Sequence, residues 1–258
     1  MTVDADRALR TVTATRYVMA LREGGSLPGL VEADDDGMYV MKFRGAGQGP
    51  GALVAEVVAG ELGRALGMPV PELVIATLEP ELARAEPDPE IQELAQASVG
   101  ANLGVDFLPG ALPFTSAAAA NLDRETAAEI VWFDALITNV DRTPRNPNLL
   151  EWHRRTWLID HGAAFFRQHG DAPLAASARA PFPHIRDHVL IGVAGPIAEA
   201  DARLAAGAAQ AIPDAVAAVP DEWLGDAPEV RRADFAAFLI ERLTEPREFV
   251  AEAESARP

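Results

Sequence analysis

Along the first third of the chain the apolar positions alternate as they do in strands, then change to a helical period. Val12-Thr13-Ala14-Thr15-Arg16-Tyr17-Val18, Leu30-Val31-Glu32-Ala33 and Met38-Tyr39-Val40-Met41-Lys42-Phe43 predict three strands. Asp34-Asp35-Asp36-Gly37 predicts a tight turn between the second and third. Leu53, Val54, Val57, Val58, Leu62, Ala65 and Leu66 recur at helical spacing after the glycine-rich stretch Gly45–Gly51, and Gly67 predicts the stop. Glu72-Leu73-Val74-Ile75-Ala76 predicts a further strand, residues 79–93 an acidic, proline-bearing exposed excursion, and Gly100–Gly110 a short strand ending in a hinge. The pattern then becomes helical. Asp123 is a good N-cap for a helix through Val140, whose apolar face is Ile130, Val131, Phe133, Leu136 and Ile137. Asn148–Trp152 and Thr156–Asp160 predict a hairpin around His153-Arg154-Arg155, and amphipathic helices follow near 197–212 and 230–243.

Strands first and helices afterwards give an α+β class. The chain has 258 residues, 49% of them apolar and 24% charged, enough for a sizeable core in one large domain or two lobes. A net charge of -17 disfavours nucleic acid and anionic membrane as partners. The absence of cysteine removes disulfides, thiolate metal sites and cysteine nucleophiles together. Neither a signal-peptide pattern nor a long apolar run is present, so a soluble cytoplasmic protein is expected.

Of the 22 lysines and arginines, Lys42 is the only lysine, and it stands in a strand. A compact ammonium on a thin stem enters a tight site that a planar guanidinium does not. A strand lysine with a helix glutamate downstream, here Glu56, is an arrangement that holds nucleotide phosphates; alone, it is equally an edge-strand lysine reaching water. Glu61, five residues on, is the competing partner. The connection Arg22–Gly29 has backbone N–H groups, including those of Gly25 and Ser26, that can approach a phosphate, or it is a plain hairpin turn.

The richest segment is Thr138-Asn139-Val140-Asp141-Arg142-Thr143-Pro144-Arg145-Asn146-Pro147-Asn148, followed by Asp160-His161-Gly162. An aspartate, an asparagine five positions later and a hairpin returning a second aspartate form the inventory phosphoryl transfer needs. One carboxylate orients the acceptor hydroxyl, while an amide oxygen and another carboxylate hold Mg²⁺, a hard ion that takes few protein ligands. Asn146 has the five-residue spacing, and Asn148 enters the next strand directly. Arg142 and Arg145 would steady a phosphate or form loop ion pairs. His161 would be a ligand-supporting or pH-sensitive group, or pack beneath the loop.

Asn139-Val140-Asp141-Arg142, Arg145–Leu150 and Trp157–Gly162 resemble the HipA-like kinases, as do Val40–Phe43 and the helix Ala55–Leu62 with Gly67–Pro71. The resemblance spans roughly residues 12–165 and implies a two-lobed protein-kinase-like fold, distantly similar to phosphoinositide kinases. The expected division is a β-rich N-lobe over residues 1–108 and a helical C-lobe over 109–258. It implies that Lys42 contacts ATP phosphates, Glu56 pairs with Lys42, Asp141 is catalytic, Asn146 (or Asn148) and Asp160 hold Mg²⁺, and adenine lies near the backbone of Val105, Asp106, Phe107 and Leu108. The implied reaction moves the γ-phosphoryl group of ATP to a hydroxyl of an unknown protein or small molecule, with Ser or Thr of a protein the leading acceptor. A lapsed nucleotide-binding or interaction module, and a nucleotidyltransferase on the same fold, are the competing functions. Thr143 and His161 depart from the family pattern, and the shorter chain does not carry over the toxin role.

Overall fold

The computed structural model describes residues 8–21, 27–47, 49–85, 88–170 and 172–258. Gly25 and Ser26 lie outside the described residues. Five strands close into a barrel: β1 (Thr11–Ala20), β2 (Gly29–Ala33), β3 (Met38–Lys42), β4 (Leu73–Leu78) and β5 (Gly100–Asp106), in the order β1-β2-β3-β5-β4. Closure comes from the parallel pairing of β1 with β4, Thr11 against Ile75 through Thr13 against Thr77. The turn before β3 has Asp36 at φ 62°, and Gly37 N–H donates to Asp35 Oδ1 at 3.0 Å. Val12, Ala14, Val31, Tyr39, Met41, Val74 and Ala76 fill the barrel, following the period-two pattern of their strands.

Helix α1 (Pro50–Ala65) lies between the barrel and the rest of the molecule. It is buried on nearly all sides, and Gly60 and Gly63 let neighbours close in: a Cβ on Gly60 would meet Leu73 Cδ1 at 2.6 Å. Its end is a Schellman cap, with Gly67 N–H donating to Arg64 O and Met68 N–H to Gly63 O, and Gly67 at φ 77°. The stretch expected to be an excursion contains two helices, α2 (Pro80–Ala85) and α3 (Pro89–Ala97). Each opens on a proline, which starts a helix as readily as it breaks one; Asp88 caps α3 by accepting from Glu90 N–H at 3.1 Å.

Next come β6 (Leu112–Pro113), α4 (Ser116–Asn121), α5 (Arg124–Leu136), β7 (Leu149–Trp152) and β8 (Arg155–Leu158), with β6, β7 and β8 forming a small sheet. The hairpin tip is His153-Arg154 alone, both at positive φ as a two-residue turn requires, and Arg155 already belongs to β8. The chain ends in α6 (Ile197–Ala217), α7 (Pro228–Leu243) and α8 (Glu248–Ala256). α1, α5, α6, α7 and α8 share one continuous hydrophobic core. Among the described residues no helix is long and apolar enough to cross a membrane.

Candidate active site

Helix α5 ends at Leu136, before the predicted Val140, and the reason prepares the site. Thr138 N–H donates to Ala135 O and Asn139 N–H to Asp134 O, the same Schellman cap as in α1, but with Thr138 at φ 49° where glycine is usual. A β-branched residue there is strained, and the strain sits at the root of the loop carrying Asp141. Asn148 (φ 49°) and Asp160 (φ 56°) are also left-handed, each flanking the β7–β8 hairpin. Ile159 N–H donates to Asn148 O at 3.1 Å, which brings the two ends of the hairpin together.

The structure joins Lys42, Glu56 and Asp160. Lys42 Nζ pairs with Glu56 Oε1 and donates to Asp160 Oδ1 at 2.9 Å. Gly162 N–H donates to the same Glu56 oxygen at 2.8 Å. Glu61 instead lies 3.5 Å from Arg64. Burial alone would pull the Lys42 ammonium down, but Glu56 and Asp160 outweigh it and hold the pKa above the ordinary lysine range. Burial pushes the Glu56 carboxyl up, against Lys42. Asp160 is held well below the carboxylate range, chiefly by the Lys42 charge.

Asp141 faces the same cleft, a cavity of about 220 Å³ lined also by Gly47, Gly49, Lys42 and Asp160. A Cβ on Gly47 would meet nothing within 4 Å, so the turn before α1 offers bare backbone to the cleft. Asn146 Nδ2 and Asn148 Nδ2 both donate to Asp141 Oδ2, at 2.7 and 3.2 Å. Each amide therefore turns its N–H₂ to Asp141 and keeps its carbonyl oxygen for another partner. Among the described residues no three His, Cys, Asp or Glu side chains converge as a metal cluster. The donors at hand are one half-exposed carboxylate, Asp160, and the amide oxygens, which fit an ion that completes its shell with water and phosphate.

Arg142 is not in the cleft. It is buried, pairing through Nε with Asp134 Oδ2 at 2.5 Å and through Nη1 with the carbonyl of Asn148. Asp134 also accepts from Asn139 Nδ2 at 3.0 Å and from His188 Nε2 at 2.8 Å. Leu190 N–H donates to His188 Nδ1 at 3.0 Å, so the His188 proton is on Nε2 and points at Asp134. Burial would raise the Asp134 carboxyl, but Arg142 and His188 outweigh it and hold it below the carboxylate range. The sequence reading missed Asp134 and His188. The available signal was a carboxylate inside an apolar helix face, which requires a partner.

His161 packs beneath the loop, its ring edge-on to Phe133 at 6.0 Å, with Nε2 buried and without a hydrogen-bond partner. Burial, reinforced by Arg142, lowers its pKa to about 3. Near the hinge, the N–H groups of Asp106 and Phe107 already donate to Glu72 and Met38 carbonyls, and Val105 pairs with Val40 and Leu73.

A family model described as HipA-like kinase matches residues 15–248, and the chain belongs to that family. The protein is thus of the kinase type, a class that uses ATP and a divalent metal. Among solved structures, that of a Helicobacter pylori proinflammatory kinase, CtkA, is similar at a TM-score of 0.54. It is 12% identical and covers 95% of this chain and 98% of its own. At that identity the likeness shows the fold, which is kinase-like. No curated protein matches.

Proposed function

We propose that this protein transfers the γ-phosphoryl group of ATP, with Mg²⁺, to a hydroxyl of an acceptor, with Ser or Thr of a protein as the leading class. The observation that carries the reading is the single lysine held between Glu56 and Asp160 at a cleft that Asp141 also lines. In this reading the molecule has two lobes, residues 1–108 and 109–258, with ATP between them and adenine against the chain leaving β5 at Leu108. Lys42, kept charged by its two carboxylates, holds the α- and β-phosphates, and Glu56 fixes the ammonium in place. Asp160 and Asn146 hold the metal, with Asn148 the alternative to Asn146. Bound Mg²⁺ supplies charge neutralisation on the phosphates. Asp141, oriented by two amides on one oxygen, directs its other oxygen to the acceptor hydroxyl and takes the proton.

Intact-mass analysis after incubation with Mg-ATP and a panel of protein acceptors tests this, together with thermal denaturation. The expected results are phosphoryl additions and a melting temperature that rises with Mg-ATP by mass action. Adenylyl additions would replace the reaction with nucleotidyl transfer, and no thermal shift at millimolar Mg-ATP would remove nucleotide binding. Lys42→Arg keeps the charge and should abolish transfer, because the guanidinium fork does not replace a point charge in so enclosed a site.

A further inference from the structure

Residues 161–182, which follow Asp160 and lead away from the cleft, contain a single hydroxyl side chain, Ser177, and no tyrosine or threonine. Ser177 Oγ donates to Leu174 O at 2.7 Å within the segment itself. Kinases switched by modification order this part of the chain by pairing an added phosphate with arginines. Here a helix already occupies that place. Arg231 Nη2 donates to Gln168 O at 2.9 Å, and Asp234 accepts from Leu174 N–H and Ala175 N–H, each at 2.8 Å. Arg242 Nη1 donates to Ala178 O at 2.9 Å, and Arg179 Nε to Glu241 Oε1 at 2.7 Å. The Phe165 ring meets Phe235 and Phe238 edge-on, at 5.1 and 5.9 Å. All of these partners lie on α7, spaced along its length.

Arg242 does more than tether the segment. Its Nε and Nη2 donate to Leu136 O and Ala135 O at 2.9 and 2.7 Å, the last carbonyls of α5 before the loop of Asp141. A cation at a helix C-terminus interacts favourably with the dipole there, and here it gives the last α5 carbonyls a charged donor in addition to the cap. One buried guanidinium thus joins the root of the Asp141 loop to the segment after Asp160.

We propose that α7 takes the place of a phosphorylation switch, holding residues 163–170 and 172–179, downstream of Asp160, permanently ordered, with Asp234 and Arg242 as positioning residues. This rests on the kinase reading. The 258-residue protein is treated with phosphatase and shown free of phosphate by intact mass. It is followed by ADP formation from Mg-ATP in the presence of the protein acceptor panel, whose hydroxyls take the phosphoryl group, and by hydrogen exchange of peptides 163–170 and 172–179. Both peptides should be protected, and ADP should form without a lag. Ser177→Ala should retain the wild-type rate. Asp234→Asn should lose protection over 172–179 and lower kcat by ~100-fold at an unchanged KM for ATP, since small misplacements cost about that much. Arg242→Lys, which keeps the charge but not the fork, should fall between that variant and wild type. Unprotected peptides in the phosphate-free protein, a lag ending as phosphate appears on Ser177, or wild-type behaviour of Asp234→Asn would each overturn the proposal. Absence of ADP formation would count against the kinase reading instead, and the exchange pattern would still judge the clamp.

Discussion

Asp134 and Asp141 lie seven residues apart on the same stretch of chain and have opposite surroundings. Asp134 is fully buried and accepts from Arg142, Asn139 and His188, so every direction it faces is spoken for. Asp141 is partly exposed, with both amides on one oxygen and its side chain among those lining the cleft. The same side chain is a structural anchor where its hydrogen bonds are saturated and, in the proposed reaction, a proton acceptor where one oxygen is left open. The helix end between them makes the separation: the cap at Thr138 turns the chain out of the core.

The most severe test removes the open carboxylate. Asp141→Asn should lower phosphoryl transfer by about 10³-fold, within the range for a positioned proton acceptor, and change unfolding free energy by less than ~0.5 kcal/mol. The reverse pattern is expected at its neighbour. Asp134→Asn should cost about 3 kcal/mol in urea unfolding, because it leaves Arg142 buried and uncompensated. If the two variants show similar stability, the contrast between them is lost.

The paired amides sharpen the comparison. Asn146→Ala should weaken the Mg²⁺ dependence of transfer ~10–100-fold, the scale of disturbed metal shells, while Asn148→Ala changes it little. The opposite ranking would move the ligand to Asn148. Acid stability tests the Asp134 side of the comparison. Asp134 has its folded pKa below the usual ~3.9, so its contribution is complete above about pH 4 and disappears as pH falls through the folded value. Wild type should therefore lose stability below about pH 4 more steeply than Asp134→Asn, measured by denaturant midpoints from about pH 7 to about pH 2. The smallest effect is His161→Phe. The ring already packs on Phe133 and its Nε2 has no partner, so this variant should gain about 1 kcal/mol in the same unfolding assay.

Much of the barrel could be read from the chain because strand alternation and a glycine helix stop are local signals. β3, α1 and the β7–β8 hairpin fall within a few residues of the predicted bounds. The same locality misleads at residues 79–93, whose acidic, proline-bearing composition predicts an exposed excursion while Pro80 and Pro89 open helices there. α5 stops at Leu136, short of the predicted Val140, because its end is set by a cap whose left-handed residue is threonine.

Taken by itself, the sequence determined which residues were worth watching: one lysine, a helix glutamate, two aspartates and the asparagines between them, in an order that resembles a family to which the chain belongs. Only the tertiary structure decided who meets whom. Glu56 rather than Glu61 faces Lys42, and Arg142 turns inward to Asp134 instead of outward to a phosphate. The reason is physical: residue type and spacing record what a side chain can do, whereas partner choice depends on burial and on contacts between residues such as Lys42 and Asp160, 118 positions apart.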